Sequence, residues 1–240
     1  MAGMGKVYLI GAGPGAADLI TVRGARLLAQ ADIVLYDALV TPDMLELCPK
    51  AEKISVGKRS GQRSTAQTLI NQQLVDCARR AGLVVRLKGG DPMLFGRADE
   101  ELRALEEAGI EVEVVPGITT AVAAAAATLQ PLTKRGVARS VAFFTSSTAP
   151  DEPEHASLPE TDTMVQYMGG REAAATAARL LALGRRPGLP VVVIENCSRP
   201  DQRILRLTLS DLAHGLDTAH GPVLVMIGEA LQRREHQAPD

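Results

Sequence analysis

The chain has 240 residues, 46% of them hydrophobic and 22% charged, the make-up of an ordinary globular protein with enough length for one large domain or two small ones. Its 26 basic and 28 acidic side chains leave a net charge of −2, and only six residues are aromatic (three Tyr, three Phe, no Trp), which argues against a protein that grips nucleic acid by phosphate attraction or base stacking. The longest apolar run, Ala121 to Ala127, is far shorter than the roughly 18 residues of a membrane span, and the start does not read as a signal peptide, so a cytoplasmic location is expected.

In chain order, short apolar runs alternate with segments of helical period, the pattern of an α/β protein with largely parallel strands. Strands are predicted at Val7 to Ile10, Ile33 to Tyr36, Lys53 to Val56, Val84 to Leu87 and Val112 to Val115. Helices are predicted around Val22 to Ala29, Asp43 to Leu47, Thr65 to Arg80 and Asp99 to Ala108. Thr41 before Pro42 reads as an N-cap, and Ser64 with Gln67 as a capping box. An alanine-rich helix follows Thr119 to about Thr128. A second series of strands is predicted at Ser140 to Thr145, Thr163 to Tyr167, Val191 to Ile194, Ile204 to Thr208 and Val223 to Ile227. Two five-strand halves follow, 1–118 and 119–240, with the boundary near Pro116-Gly117. Ser146 to Pro159, rich in Ser, Thr, Pro and acid, reads as a solvated loop.

Cys48, Cys77 and Cys197 lack metal-ligand spacing and are odd in number, which suits reduced packing thiols. None of the four histidines stands at a helical i, i+4 spacing to another, and no metal site is expected. Chemistry points instead to loops that follow strands. Gly11-Ala12-Gly13-Pro14-Gly15 succeeds the first strand and lets main chain approach a ligand. It also fits the dinucleotide pattern through Gly11, Gly13 and Ala16, with Asp37 as the ribose acid, but Pro14 and Ala16 to Ile20 read as a loop that delays the helix to about Thr21. Lys88-Gly89-Gly90-Asp91-Pro92 follows the fourth strand and offers two positions without side chains beside a carboxylate. Basic residues gather in Gly57-Lys58-Arg59-Ser60-Gly61-Gln62-Arg63-Ser64, in Lys134, Arg135 and Arg139, and at Arg97, which points to an anionic ligand.

Taken together, Val7-Tyr8-Leu9-Ile10-Gly11-Ala12-Gly13-Pro14-Gly15, Tyr36-Asp37, Val56-Gly57-Lys58-Arg59, Val85 to Pro92, Val115-Pro116-Gly117-Ile118-Thr119 and Tyr167-Met168-Gly169 resemble the tetrapyrrole methylases over nearly the whole chain. Tyr-Asp followed by Val-Gly-Lys-Arg resembles the branch that acts on uroporphyrinogen III. The resemblance implies the tetrapyrrole methylase fold, two α/β domains each with a five-stranded sheet and the active site in the cleft between them, in a homodimer. It implies methyl transfer from S-adenosyl-L-methionine, leaving S-adenosyl-L-homocysteine, to two pyrrole carbons of uroporphyrinogen III, with precorrin-2 the product. By the family's pattern Pro14, Gly89, Gly90, Asp91, Leu94, Thr119, Thr120, Met168 and Cys197 line the cofactor site, with Asp37 the proton acceptor and Lys58 the donor. Gly13, Arg59, Arg63, Lys134, Arg135 and Arg139 are the implied substrate contacts. Three positions depart from the pattern: Cys197 stands where glycine or alanine is usual, which implies a main-chain contact there, Lys134-Arg135 stands where His-Arg is expected, and Gly-His is missing after Thr145.

Overall fold

The computed structural model describes residues 5–57, 67–146, 157–216 and 221–233, and divides the chain into two compact units, Met1–Thr120 and Ala121–Asp240. The first unit is built on strands β1 (Lys6–Gly11), β2 (Ile33–Tyr36), β3 (Glu52–Ser55), β4 (Leu83–Lys88) and β5 (Val112–Val115), in the order β3-β2-β4-β1-β5. Every neighbouring pair is parallel, so the chain must cross back through a helix between strands. Helices α1 (Val22–Ala29) and α2 (Pro42–Leu45) cover one face, and α3 (Gln67–Arg80) and α4 (Ala98–Glu107) the other.

Strand alternation divides the core accordingly. Val7, Leu9, Ile33, Leu35 and Val84 meet Leu74 of α3 and Leu105 of α4, while Ile10, Val34, Val85 and Leu87 meet Leu28 of α1 and Met44 of α2. The delayed start of α1 is borne out: a short 3-10 turn at Ala17–Leu19 precedes it, and the Thr21 side chain accepts from the Gly24 amide as N-cap. Thr41 is the N-cap of α2 with Pro42 in the first turn, but its hydroxyl does not cap the helix; Oγ1 donates to the Gly15 carbonyl at 3.0 Å instead. The predicted Ser64 cap lies outside the described residues.

The second unit holds β6 (Val141–Thr145), β7 (Thr163–Tyr167), β8 (Pro190–Glu195), β9 (Arg203–Thr208) and β10 (Val223–Gly228) in the order β6-β7-β10-β8-β9. Here the expectation of largely parallel strands is corrected. Only β6 and β7 run parallel; β10 is antiparallel to both β7 and β8, and β8 to β9. A strand covered on both faces is apolar at every position whichever way its neighbours run, so the runs Val191 to Ile194 and Val223 to Ile227 carried no direction. Helix α5 (Thr120–Thr128) supplies Ala121 and Ala124 to one face of this sheet. The other face is covered by α6 (Ala173–Ala182) and α7 (Leu209–Leu212), two helices absent from the predicted elements. Within the predicted loop 146–159, residues 147–156 lie outside the described ones, and Leu158 packs on the α6 core rather than standing in solvent.

Cys48, Cys77 and Cys197 are buried and unpaired, and burial raises each thiol above its ordinary range, Cys197 to about 11. Among the described residues no helix is long and apolar enough to cross a membrane.

Two outcomes test this packing. Leu105→Ala, at a fully buried position in the core that α3 and α4 share with the first sheet, is expected to cost about 2–5 kcal/mol in urea unfolding. Asp162 Oδ2 accepts from the Arg139 and Ser140 amides and the Ser140 hydroxyl at 2.8–3.0 Å, which holds its carboxyl below the usual carboxylate range. Its stabilisation is therefore complete above the unfolded carboxyl's pKa, near 4, and is lost as pH falls through the lower folded value. Asp162→Asn should lower Tm at neutral pH and show a smaller further fall on acidification than the parent.

Candidate active site

With all five strands parallel, the loops after β1, β2, β4 and β5 emerge at one edge of the first sheet. Strands β1 and β4 lie side by side, yet β1 leads into α1 on one face and β4 into α4 on the other. Such a divergence opens a crevice at the strands' carboxyl ends, the common place for a ligand in an open α/β sheet.

The main chain closes the base of that crevice. Gly13 N–H donates to the Gly90 carbonyl at 3.2 Å and Gly90 N–H to the Gly13 carbonyl at 2.7 Å, while Ala12 N–H donates to the Lys88 carbonyl at 2.7 Å. The glycine turns after β1 and β4 are thus a single hydrogen-bonded unit. Gly117 completes it: a Cβ there would stand 2.2 Å from the Gly90 carbonyl oxygen and 2.7 Å from Gly11 Cα, so only glycine fits. On its outer side the unit is open. Gly90 has φ +70°, and a Cβ built there would meet nothing within 4 Å.

Two carboxylates brace the turns. Asp91 accepts from the Met93 amide through Oδ1 and from the Gly117 amide through Oδ2, both at 2.8 Å. Asp37, half-buried after β2, accepts from the Leu39 amide at 2.9 Å and from the Gly89 amide at 3.1 Å. Asp37 therefore stands on the same rim as Gly13, Pro14, Gly89, Gly90, Asp91 and Leu94, whose amide donates to the Asp91 carbonyl at 3.3 Å. Thr119 and Thr120 follow Gly117 at the end of this unit. Arg97 is exposed beyond the turn and forks onto Glu100, with both N–H···O distances 2.7 Å. Lys58, Arg59 and Arg63 lie outside the described residues.

Beneath the rim is a buried ionic cluster that the motif reading left without a role. Arg86 and Lys88, two apart on β4, point to the same face, where Glu101 of α4 accepts from Arg86 Nε at 2.9 Å and Lys88 Nζ at 2.8 Å. Glu101 is wholly buried and the two cations nearly so. Burial, then the neighbouring Arg86, push the Lys88 ammonium below its ordinary pKa, against the pull of Glu101. Gln67, at the start of α3, also donates to Glu101 at 3.4 Å. The available signal was two cations at period-2 spacing in a strand otherwise buried on both faces.

In the second unit, Met168 follows β7, half exposed at φ +56°, and Cys197 follows β8. The Cys197 thiol is turned into the α5-facing core, so any ligand contact there falls to the main chain. Tyr167 Oη accepts from the Ala121 amide at 3.1 Å and fixes the start of α5 against β7. Lys134 and Arg135 lie in a tight hairpin closed by reciprocal Lys134 and Ala138 main-chain bonds, and with Arg139 they are exposed ahead of β6. Since β6 and β7 are parallel, this basic group and Met168 occupy opposite ends of the strands, with Arg139 roughly 23 Å from Met168 along the strand direction at about 3.3 Å per residue.

Residues 6–213 match the family described as Tetrapyrrole (Corrin/Porphyrin) Methylases. The siroheme synthase of Tolumonas auensis is 47% identical over 94% of this chain and 49% of its own length, and that of Pseudomonas fluorescens 45% identical over 98% and 52%. The chain thus spans about half the length of these curated relatives. Among solved structures, uroporphyrin-III C-methyl transferase from Thermus thermophilus complexed with S-adenyl homocysteine is 38% identical with a TM-score of 0.81, over 95% of this chain and 94% of that one. A cobalamin biosynthetic enzyme, the cobalt precorrin-4 methyltransferase CbiF, is 30% identical with a TM-score of 0.79, over 95% and 96%. The extent of the family match, the two five-stranded sheets and these relatives agree: the chain belongs to the tetrapyrrole methylase family.

Proposed function

We propose that the protein transfers methyl groups from S-adenosyl-L-methionine to two pyrrole carbons of uroporphyrinogen III, C2 and C7, giving precorrin-2 by way of precorrin-1 for the sirohaem or cobalamin branch. The observation that carries this reading is the fused Gly13, Gly90 and Gly117 turn at the β1/β4 divergence, in a chain 38% identical to a uroporphyrin-III C-methyl transferase complexed with S-adenyl homocysteine.

The residues present fit such a cofactor. Open space over Gly90 lets a ligand lie against main chain without displacing a side chain, and Asp91 keeps the turn in shape through two amides. When bound, S-adenosyl-L-methionine supplies an electrophilic methyl on a sulfonium. The protein's own contribution is to hold the reacting carbon in line with that methyl, and alignment of this kind is worth about 7–11 kcal/mol in favourable intramolecular cases. Pro14, Gly89, Gly90, Asp91, Leu94, Thr119, Thr120, Met168 and the Cys197 main chain are assigned to the cofactor. Asp37 is assigned to take the proton released after methylation and Lys58 to return one. Gly13, Arg59, Arg63, Lys134, Arg135 and Arg139 are assigned to the substrate and its carboxylates, with a homodimer in the cytoplasm as the working assembly. Buried, unpaired thiols suit that reducing compartment.

Incubation with uroporphyrinogen III and S-adenosyl-L-methionine should yield products heavier by one and then two methyl groups; no mass gain would refute the assignment. The similarity to CbiF favours a later corrinoid precursor as the second reading, and methylation of such a precursor alone would establish it.

Two variants separate the carboxylates. Asp91→Ala frees the Met93 and Gly117 amides and should weaken S-adenosyl-L-homocysteine at least tenfold, about 1.4 kcal/mol, in calorimetric titration. Asp37→Asn retains an acceptor for one amide, so cofactor affinity should stay within about threefold while kcat falls about 10²–10⁴-fold. Parental turnover in Asp37→Asn would exclude proton transfer at that residue.

A further inference from the structure

The buried cluster sets two cations against one bonded carboxylate, with Asp37 acting on Lys88 only through its field. Arg86 alone neutralises Glu101, yet Lys88 is buried against the same carboxylate, and removing a second ammonium from water is costly.

Lys88 is the last residue of β4 and Glu101 lies in the first turns of α4, so their contact joins the two ends of the intervening turn, residues 89–97. The lysine stem also runs beneath that turn: a Cβ on Gly96 would stand 3.1 Å from Lys88 Cε. On either side of Gly96, Phe95 and Arg97 both hold φ +54°, a left-handed conformation that side chains rarely adopt and that persists only where surroundings enforce it. A strained turn lies over a buried bond that ties its ends.

We infer that Lys88 is a positioning residue whose bond to Glu101 clasps the 89–97 turn and holds the main-chain groups of Gly89 and Gly90 ready for the cofactor before it arrives. The inference rests on the reading of this rim as the S-adenosyl-L-methionine site. Preorganisation of this kind acts on affinity, because the cost of ordering the turn is met on folding rather than on binding. Arg86 also ties β4 to α4, but from two residues farther back, and the stem recorded against Gly96 of the turn is that of Lys88. The arginine binds the same carboxylate from within the strand and donates otherwise to the Leu87 carbonyl.

That difference supplies the test. Lys88→Met and Arg86→Met each leave one cation paired with Glu101, so a purely structural cluster predicts no difference between them in ligand affinity once folded. The clasp predicts that Lys88→Met weakens S-adenosyl-L-homocysteine about tenfold by calorimetry, while folded Arg86→Met stays within about twofold of the parent. Equal affinities in the two variants, or parental affinity in Lys88→Met, would overturn it.

Amide exchange on the unaltered protein can still overturn the clasp if either variant fails to fold. The Gly89, Gly90, Met93 and Leu94 amides are all hydrogen-bonded in the described structure. With the clasp they should be protected without ligand to within about threefold of their protection at saturating S-adenosyl-L-homocysteine, whereas protection that arises mainly on adding it rejects the clasp. An unaltered protein that does not bind S-adenosyl-L-homocysteine would instead reject the functional reading on which the clasp depends.

Discussion

The reciprocal bonds between Gly13 and Gly90 are the constraint on which the rim depends. They extend the pairing of β1 and β4 past the sheet edge, so two turns that leave in opposite directions share one main-chain junction. A side chain at Gly117 would force that junction apart. The carboxylates of Asp37 and Asp91 then accept amides from the Gly89 and Gly117 segments, and three loops with little sequence proximity become one surface. The Thr41 hydroxyl adds a tie from the β2 side by donating to the Gly15 carbonyl.

Below this junction the energetics change character. The rim is held by neutral main chain and half-exposed carboxylates, where single bonds contribute modestly, about 0.5–1.5 kcal/mol each for a typical hydrogen bond. The cluster of Arg86, Lys88 and Glu101 is dry, so each charge depends on its partners, and loss of Glu101 would leave two cations uncompensated. The Gln67 contact extends this cluster to the start of α3, immediately after the basic segment 58–66.

The first unit was largely legible because each signal was local. Short apolar runs alternating with segments of helical period marked its strands, and Pro14 with Ala16 to Ile20 marked the late start of α1. Asp91 was placed in the cofactor site by its motif, but that its oxygens accept from the Met93 and Gly117 amides was not legible; spacing cannot show which amides will fold back onto a carboxylate. Thr41 is similar, since an N-cap residue can spend its hydroxyl on a neighbouring loop. In the second unit strand direction was hidden by burial on both faces. The buried stripe Ala173, Thr176, Ala177 and Leu180 did mark α6, but its small side chains gave a weak apolar signal. Glu101 was indistinct among Asp99, Glu100 and Glu101, and only the cations facing it from β4 set it apart.

The burial of all three sulfhydryls has a practical corollary. Alkylating reagents act on accessible thiolates, and Cys48, Cys77 and Cys197 are both shielded and held protonated at neutral pH. A cysteine introduced at an exposed position such as Arg135 or Met93 would therefore be the preferred target of a maleimide dye in the wild-type background, so spectroscopic reporters can be attached without first stripping the native residues from the core.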